Sequence, residues 1–288
     1  MTGSIRPLRS ALYVPADRAS AVAKARTLQC DAVILDLEDA VAPEAKAQAR
    51  LAAVSAINEG GFGHRKLVVR VNGLETDWGI EDCAVLRDTT VDAILLPKIS
   101  SHEELVRYRN ATGGKIELWA MLETCTAFLN IAQLTDDALD EGVTTLVVGT
   151  NDLALEMRCR LDTQRSAITP LLTQAVVAAR AGGLMIIDGV FNDLADETGF
   201  LQQCRQGADM GFDGKTLIHP KQIAIANTAF SPSEAEVAAA QMICDAFAAP
   251  ENTGKGVITV NGRMTEILHL REAERTLALH AATQRNMA

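Results

Sequence analysis

The chain has 288 residues, of which 48% are hydrophobic and 22% charged, and its formal net charge is −10. This length and apolar fraction suffice for one large core, and the acidic balance argues against a nucleic-acid-binding protein, which needs a basic face. The six cysteines form no CxxC pair, which is typical of free thiols in a reducing compartment. No apolar run reaches the ~18 residues of a membrane span or resembles a signal peptide. We therefore expect a soluble, cytoplasmic protein with no membrane or nucleic-acid partner.

Short apolar segments alternate with longer, Ala-rich segments of helical period along most of the chain. The predicted strands are Ser10–Ala16, Ala32–Glu38, Lys66–Asn72, Ala93–Lys98, Glu117–Glu123, Thr145–Thr150, Leu184–Val190 and Met210–Gly214. Their nearly continuous apolar runs are typical of parallel strands that are covered on both faces. The helices between them include predicted segments at Arg18–Gln29, Pro43–Asn58, Ser101–Ala111, Asp162–Ala181 and Asp193–Arg205. Eight such units without a linker predict a TIM (β/α)8 barrel rather than an open sheet.

The pattern changes beyond the eighth unit. Helical segments are predicted at about Lys221–Ala226 and Ser233–Ala248, followed by a glycine-bearing stretch and a final amphipathic helix from Met264. We therefore predict two parts: a barrel over residues 1–228 and a C-terminal helical extension over residues 229–288. The extension is expected to pack on the barrel or on a neighbouring subunit.

Two carboxylates follow successive predicted strands, at the end of the barrel where TIM-barrel active sites form. Glu123 ends the fifth strand and Asp152 follows the sixth, so a barrel places them side by side. Two carboxylates together with waters and substrate oxygens make a typical Mg²⁺ site. Taken singly, each residue is also explained as a helix cap or a salt-bridge partner.

Arg70 lies late in a strand that should be buried, within the segment VVRVN. Arginine is suited to a bidentate grip on a carboxylate or on the oxygens of a keto acid. Glu38 and Asp39 follow the preceding strand, so one of them can orient Arg70 while the other orders metal-bound water or takes part in proton transfer. The sequence does not divide these roles between the two.

Basic residues lie in the first two predicted helices and comprise Arg18, Lys24, Lys46 and Arg50. An acidic protein binds an anion only through locally concentrated cations, so these residues are candidates for the phosphates of a nucleotide-like cofactor. They are equally well explained as ordinary charges on helix surfaces.

Several segments together resemble the citrate lyase β-subunit family, within the HpcH/HpaI aldolase/citrate lyase superfamily. The matching segments are RSALYVPADR (9–18), DAVILDLEDAVAPEAKAQAR (31–50), VVRVNGLETDWG (68–79), LLPK (95–98), MLETCTAFLN (121–130), VVGTNDLA (147–154), GFDGKTLIHPKQI (211–223) and, less closely, VNGRMTE (260–266). They cover essentially the whole chain in order, and their combination is highly specific.

The resemblance implies a barrel in which Glu123 and Asp152 hold Mg²⁺ and Arg70 grips the keto-acid part of the substrate. It implies an acyl-CoA, with coenzyme A as part of the substrate, that lies across the barrel mouth near the first two strands. The expected activity is a carbon–carbon lyase of the citramalyl-CoA or malyl-CoA type, which cleaves a 3-hydroxyacyl-CoA to a 2-keto acid and acetyl-CoA. The family also includes related malate-synthase and thioesterase activities, and the sequence does not separate cleavage from condensation or hydrolysis. A homotrimer or hexamer is also implied, in which the C-terminal segment brings an acidic residue to the neighbouring site.

Two positions depart from the family pattern. The ET motif is usually followed by a small pair containing glycine, whereas Thr126, Ala127 and Phe128 stand here, which implies a narrower pocket. The tail motif usually ends in an aspartate, and Glu266 stands at that position. Glutamate keeps the charge but places it one methylene further out, so its role as a proton donor or base is left open.

Three other functions fit the same residues. A citrate lyase β-subunit acts on the citryl thioester of a carrier protein, and nothing in the sequence separates that substrate from a CoA thioester. A class II pyruvate aldolase acts on free aldehydes, but the tail and the DLEDAV segment favour the acyl-CoA branch. A non-catalytic acyl-CoA-binding scaffold subunit is favoured by Glu266 alone, and Glu123, Asp152 and Arg70 argue against it.

Overall fold

The structure is a computed structural model that describes residues 6–287 of the chain. Residues Leu8–Phe230 form one compact unit, and the chain from Ser231 onward belongs to a second unit, together with Arg6 and Pro7. No helix within the described range is long and apolar enough to cross a membrane.

Eight parallel strands close into a barrel in chain order. They are β1 Ser10–Pro15, β2 Ala32–Asp36, β3 Lys66–Arg70, β4 Ala93–Leu96, β5 Glu117–Leu122, β6 Val143–Val148, β7 Met185–Asp188 and β8 Gly214–Leu217. β1 pairs with β2 on one side and with β8 on the other, and this second pairing closes the sheet. The predicted TIM (β/α)8 barrel is confirmed.

Helices surround the strands. They are α1 Ala19–Ala25, α2 Lys46–Glu59, α3 Gly79–Leu86, α4 His102–Ala111, α5 Cys125–Leu129, α6 Ile131–Thr135, α7 Thr150–Met157, α8 Thr169–Ala181, α9 Glu197–Met210 and α10 Gln222–Ala229, with a 3-10 turn at Pro43–Ala45 before α2. Local sequence explains several of their ends. Ser101 caps α4, because its hydroxyl accepts the backbone N–H of Glu104 and the Glu104 carboxylate accepts that of Ser101.

Alternate side chains of each strand enter two different cores. Outward-facing residues pack with the helices in the larger core, and inward-facing residues such as Ala32, Ile34 and Trp119 fill the barrel. Both faces are therefore buried, which is why the strands have nearly continuous apolar runs. The inward series continues to polar residues at the carboxyl ends of the strands, and this period of two directs the charged residues there toward the barrel axis.

The predicted position of the eighth strand is wrong. Met210 ends α9, and Gly211 closes that helix with φ at 97°, so the strand begins only at Gly214. Its sequence, GKTL, contains no apolar run to mark it. Lys215 is nevertheless fully buried, because its amine forms an ion pair with Asp188 at 2.8 Å.

Two predicted helices start too early: the helix predicted from Asp193 begins at Glu197, and the one predicted from Asp162 begins later still. The segment from Asp162 is a turn, in which Arg165 has φ at 55°, and α8 begins only at Thr169. A left-handed residue interrupts a helix, and the Arg165 side chain at this turn donates hydrogen bonds to Asp188 and Gln206.

The second unit contains α11 Glu234–Ala248, the antiparallel strands β9 Val257–Val260 and β10 Arg263–Glu266, and α12 Ile267–Met287. Helices α11 and α12 pack against each other. The final helix begins at Ile267 rather than at the predicted Met264, because the preceding residues pair with β9. Asn261 and Gly262 both have positive φ, as a tight two-residue hairpin turn requires.

Candidate active site

A cavity of about 350 Å³ opens where the barrel strands reach their carboxyl ends. Its charged lining consists of Asp36, Asp39, Arg70, Glu123 and Asp152. Apolar side chains, among them Pro15, Met121, Val148, Val190 and Ile218, line the rest. The cavity thus brings together residues that are far apart in sequence, because parallel strands end on the same side of the barrel.

Arg70 is held in place by Asp36, an acidic residue at the end of β2 to which no role was assigned from the sequence. Its Nε and Nη2 atoms donate to the two carboxylate oxygens of Asp36 at 2.7 and 2.6 Å. Asp36 also accepts the backbone N–H groups of Glu38 and Ala40, which fixes the loop after β2. Asp36 directly opposes Arg70 in the β2–β3 register. The sequence signal that could have predicted this ion pair is a carboxylate and a guanidinium at the ends of two neighbouring strands.

The other partners of Arg70 are Glu38 and Asp39, as the sequence allowed. Asp39 accepts a longer hydrogen bond from Arg70 Nη1, at 3.3 Å, and remains exposed. Glu38 Oε2 lies 2.7 Å from the same nitrogen, but within the described residues this buried oxygen accepts no hydrogen bond. Burial raises the pKa of Glu38 to about 7 despite the opposing effect of Arg70. Glu38 can therefore take up or release a proton near neutral pH.

Glu123 is almost fully buried at the end of β5. Its Oε1 accepts the backbone N–H of Lys98 at 2.8 Å. Gly149 leaves room for its other oxygen, since a Cβ at that position would lie 2.3 Å from Glu123 Oε2. Burial and the nearby carboxylate of Glu38 raise the pKa of Glu123 to about 7.

Lys98, which follows β4, supports the site in two ways that were not predicted. Its backbone has φ at 52°, a left-handed conformation that is unfavourable for lysine, and this orientation directs its N–H at Glu123. Its amine lies 3.8 Å from Glu38 Oε1. Burial alone would lower the pKa of Lys98, but Glu38, Asp152 and Glu123 together raise it, so the amine is a cation facing these carboxylates.

The donor set around Glu123 fits a magnesium ion. Asp152 also lines the cavity, and its charge contributes to the raised pKa of Glu123, so the two carboxylates face a common space. Both offer only hard oxygen donors. The described residues contain no cluster of three His, Cys, Asp or Glu side chains suited to a metal, and Mg²⁺ characteristically takes one or two protein carboxylates and fills its remaining positions with water and substrate.

The candidate phosphate-binding residues have unlike surroundings. Arg18 and Lys24 are exposed beside and within α1. The Lys46 amine is buried and donates to the carbonyls of Leu37 and Glu38 at 2.9 and 2.7 Å, so it supports the loop after β2. That Lys46 also contacts a cofactor stays a prediction.

Arg50, the fourth basic candidate, forms ion pairs with Asp82 and Glu81. Its guanidinium therefore links α2 to α3, and most of its hydrogen-bonding capacity is engaged within the barrel unit.

The two departures from the family pattern lie in different places. Thr126, Ala127 and Phe128 do not line the cavity, so the expected narrowing is not found there. Glu266 ends β10 in the second unit, where its backbone N–H donates to His269 Nδ1 at 3.0 Å. Its carboxylate has no hydrogen-bond or ion-pair partner within the described chain, and its participation in a site stays a prediction.

Comparison with known proteins gives consistent matches. Residues 9–220 match the family model HpcH/HpaI aldolase/citrate lyase. The chain is 45% identical over 278 residues to a (3S)-malyl-CoA thioesterase of Cereibacter sphaeroides, covering 96% of each chain. It is 32% identical to the mitochondrial citramalyl-CoA lyase of Homo sapiens, covering 95% of this chain and 85% of the relative. A solved structure of protein CitE from Mycobacterium tuberculosis, in complex with magnesium, acetoacetate and coenzyme A, matches with a TM-score of 0.77 at 27% identity, covering 96% of this chain and 98% of that one.

Proposed function

The chain belongs to the HpcH/HpaI aldolase/citrate lyase family, and from this premise we propose that it cleaves a malyl-CoA-type 3-hydroxyacyl-CoA to a 2-keto acid and acetyl-CoA with the help of Mg²⁺. The observation that carries the proposal is that Glu123, Asp152 and Arg70 line one cavity at the carboxyl ends of the strands. The relatives named for malyl-CoA and citramalyl-CoA support the substrate class. The similar structure solved with magnesium and coenzyme A supports a requirement for Mg²⁺ and a coenzyme A thioester as the substrate.

Glu123 and Asp152 would hold the metal. When bound, Mg²⁺ supplies Lewis-acid polarisation of the hydroxy-acid oxygens. Arg70 binds the carboxylate of the same substrate end. Its bond to the exposed Asp39 is its longest, at 3.3 Å, so Asp39 is the partner that an incoming carboxylate displaces.

Glu38 is the base of the proposed cleavage. It lies beside Arg70, and its pKa of about 7 suits proton transfer near neutral pH. The hydroxyl proton passes to Glu38, the carbon–carbon bond breaks to form the keto group, and the bond's electron pair goes to the acetyl-CoA enolate. Glu266 of a neighbouring subunit supplies the proton that completes acetyl-CoA.

Arg18 and Lys24 are the proposed contacts for the phosphates of coenzyme A. Both are exposed, and both lie at the barrel segment that directly follows β1. Surface cations attract polyanions across distances of about a Debye length, so they also assist the approach of the substrate.

Thioester hydrolysis is a second candidate function, because the relative that is 45% identical is named a thioesterase. The hydroxy-acid end would bind as described, but water would attack the thioester carbonyl. The products would then be the free hydroxy acid and coenzyme A, with the carbon–carbon bond intact.

Product analysis separates the two reactions. We expect purified protein with Mg²⁺ to convert malyl-CoA to glyoxylate and acetyl-CoA, or citramalyl-CoA to pyruvate and acetyl-CoA. A carrier-protein citryl thioester is assayed as a third substrate, to test the alternative of a citrate lyase β-subunit. EDTA should abolish turnover and added Mg²⁺ should restore it. Glu123→Gln should lower kcat/KM about a thousandfold, the scale of several kcal/mol of Lewis-acid stabilisation.

Glu103→Gln, which removes an exposed carboxylate on α4, is the matched control and should leave kcat/KM unchanged. Malate or citramalate with free coenzyme A would establish hydrolysis instead. Undiminished turnover in EDTA, or by the Glu123 variant, would refute the metal assignment.

A further inference from the structure

Tyr13 occupies a position in the site to which the proposed function assigns no role. It lies on β1, two residues after Ala11, and shares the inward direction of that residue. Its side chain lines the cavity, as do those of Met121, Arg70 and Glu123. The apolar interior of the barrel supports its ring from below.

The Arg70 guanidinium lies over the ring of Tyr13, with its central carbon 4.9 Å from the ring centroid. Asp36 holds the same guanidinium in its plane through two hydrogen bonds. The cation–π contact with Tyr13 and the bidentate ion pair with Asp36 together hold the Arg70 guanidinium in position.

The hydroxyl of Tyr13 lacks a good partner. Its one hydrogen-bond contact within residues 6–287 is the thioether of Met121 at 4.0 Å, and sulfur is a weak acceptor. Phenol hydroxyls in such enclosed positions normally find an oxygen or nitrogen partner. Burial raises the pKa of Tyr13 above its usual value, so the group remains a neutral donor. Because Tyr13 lines the cavity, a substrate oxygen there can serve as the stronger acceptor.

We propose that Tyr13 is a further substrate-contacting residue, whose hydroxyl donates a hydrogen bond to a carboxylate or keto oxygen of the keto-acid end of the substrate. The inference rests on the proposed function, since it places that end beside Arg70. Tyr13 and Arg70 then form one recognition unit, in which the ring orients the guanidinium and the hydroxyl adds a neutral donor.

Two substitutions separate these contributions. Tyr13→Phe removes the hydroxyl and keeps the ring on Arg70, whereas Tyr13→Leu removes both. Tyr108→Phe is the matched control, because Tyr108 is a buried tyrosine whose hydroxyl accepts the backbone N–H of Leu74, and it does not line the cavity. Calorimetry of the Mg²⁺-loaded protein would measure the affinities for pyruvate, glyoxylate and free coenzyme A. Steady-state kinetics would provide kcat and KM.

We expect Tyr13→Phe to weaken keto-acid binding about tenfold, the loss of one hydrogen bond to a charged group, with unchanged coenzyme A affinity and melting temperature. Tyr13→Leu should also lower kcat, because Arg70 loses its orientation. Tyr108→Phe should bind both ligands like the wild type.

The inference is overturned if Tyr13→Phe binds keto acids with wild-type affinity, or loses affinity for keto acids and coenzyme A alike. In those cases wild-type turnover of acyl-CoA would leave the proposed function standing. A wild-type protein that binds neither keto acids nor acyl-CoA would instead refute the proposed function, and the role of Tyr13 with it.

Discussion

At the scale of single residues, the most deeply buried charges of the barrel lie outside the cavity lining. Asp188 accepts hydrogen bonds from Arg165 at 2.6 Å and from Lys215 at 2.8 Å, and all three side chains are almost inaccessible to solvent. Ion pairs of this kind are weakly stabilising as a set but costly to break, because one missing member leaves the others uncompensated. Lys215, in the GFDGKTLIHP segment, thus pairs with Asp188 in the barrel interior and supports the fold rather than the cavity.

The charge on Asp188 makes this cluster sensitive to pH. Burial alone would raise the pKa of Asp188, but Lys215 and Arg165 outweigh burial and hold it below its usual value. A carboxyl group with a lowered folded-state pKa contributes its full stabilisation above the unfolded-state value of about 4. That stabilisation is lost as the pH falls through the folded-state pKa.

We therefore expect Asp188→Asn to lower the free energy of unfolding by about 3–5 kcal/mol at neutral pH, and this difference from the wild type to shrink below pH ~4. Urea unfolding at a series of pH values measures both. Asp209→Asn, an exposed residue of α9, is the control and should have little effect. Equal effects of the two substitutions at neutral pH would contradict the assignment.

At the scale of elements, the junctions between strands and helices build the site. Glu123 lies between β5 and α5, directly after the strand, and Asp152 lies in the first turn of α7, which follows β6. Glu123 can lie close to the β6–α7 junction only because residue 149 is a glycine. A Cβ there would lie 2.3 Å from Glu123 Oε2 and 2.5 Å from its Cβ, so any larger residue displaces the carboxylate.

Gly149→Ala should therefore disturb the proposed metal site without unfolding the barrel. We expect weaker binding of Mn²⁺, used as a spectroscopic substitute for Mg²⁺, and a loss of about a hundredfold in kcat/KM, the scale of a misplacement of about 1 Å. Electron paramagnetic resonance measures the affinity. Gly256→Ala is the matched control, since its Cβ would meet nothing closer than 3.9 Å. Wild-type Mn²⁺ affinity in the Gly149 variant would count against the site.

At the scale of the whole molecule, Glu266 and the cavity belong to different compact units. We propose, from the family resemblance, that the chain forms a trimer or hexamer in which Glu266 serves the site of a neighbouring copy. Closed symmetry makes each such site a composite of two subunits.

Mixed oligomers test this arrangement. Glu123→Gln and Glu266→Gln are each expected to be inactive alone, but co-expression under two affinity tags should restore about a quarter of the wild-type activity, the share of sites with both residues intact under random assembly. A mixture of Glu123→Gln with Asp152→Asn is the control, because both changes lie in the same subunit's cavity and should restore nothing. Absence of restored activity in the first mixture would refute a shared site.

Local pattern alone predicted the architecture and the main candidate site residues. Continuous apolar runs predict buried parallel strands, and polar residues at strand ends predict the rim, so Glu123, Asp152 and Arg70 follow from the order of residues along the chain. Family resemblance added the metal and the substrate class. The eighth strand was misplaced because it contains Lys215, a charged residue that can be buried only through its ion pair with Asp188, which is distant in sequence.

Tertiary structure decided which groups meet. Closure of the barrel brings Tyr13 on β1 against Arg70 on β3, and the left-handed backbone of Lys98 directs its N–H at Glu123. The tertiary structure also buries the Lys46 amine, which donates to two carbonyls, although the sequence was equally consistent with a surface cation. The physical reason is that side-chain direction along a strand is periodic and local, whereas partner choice depends on distances between elements that only the closed barrel sets.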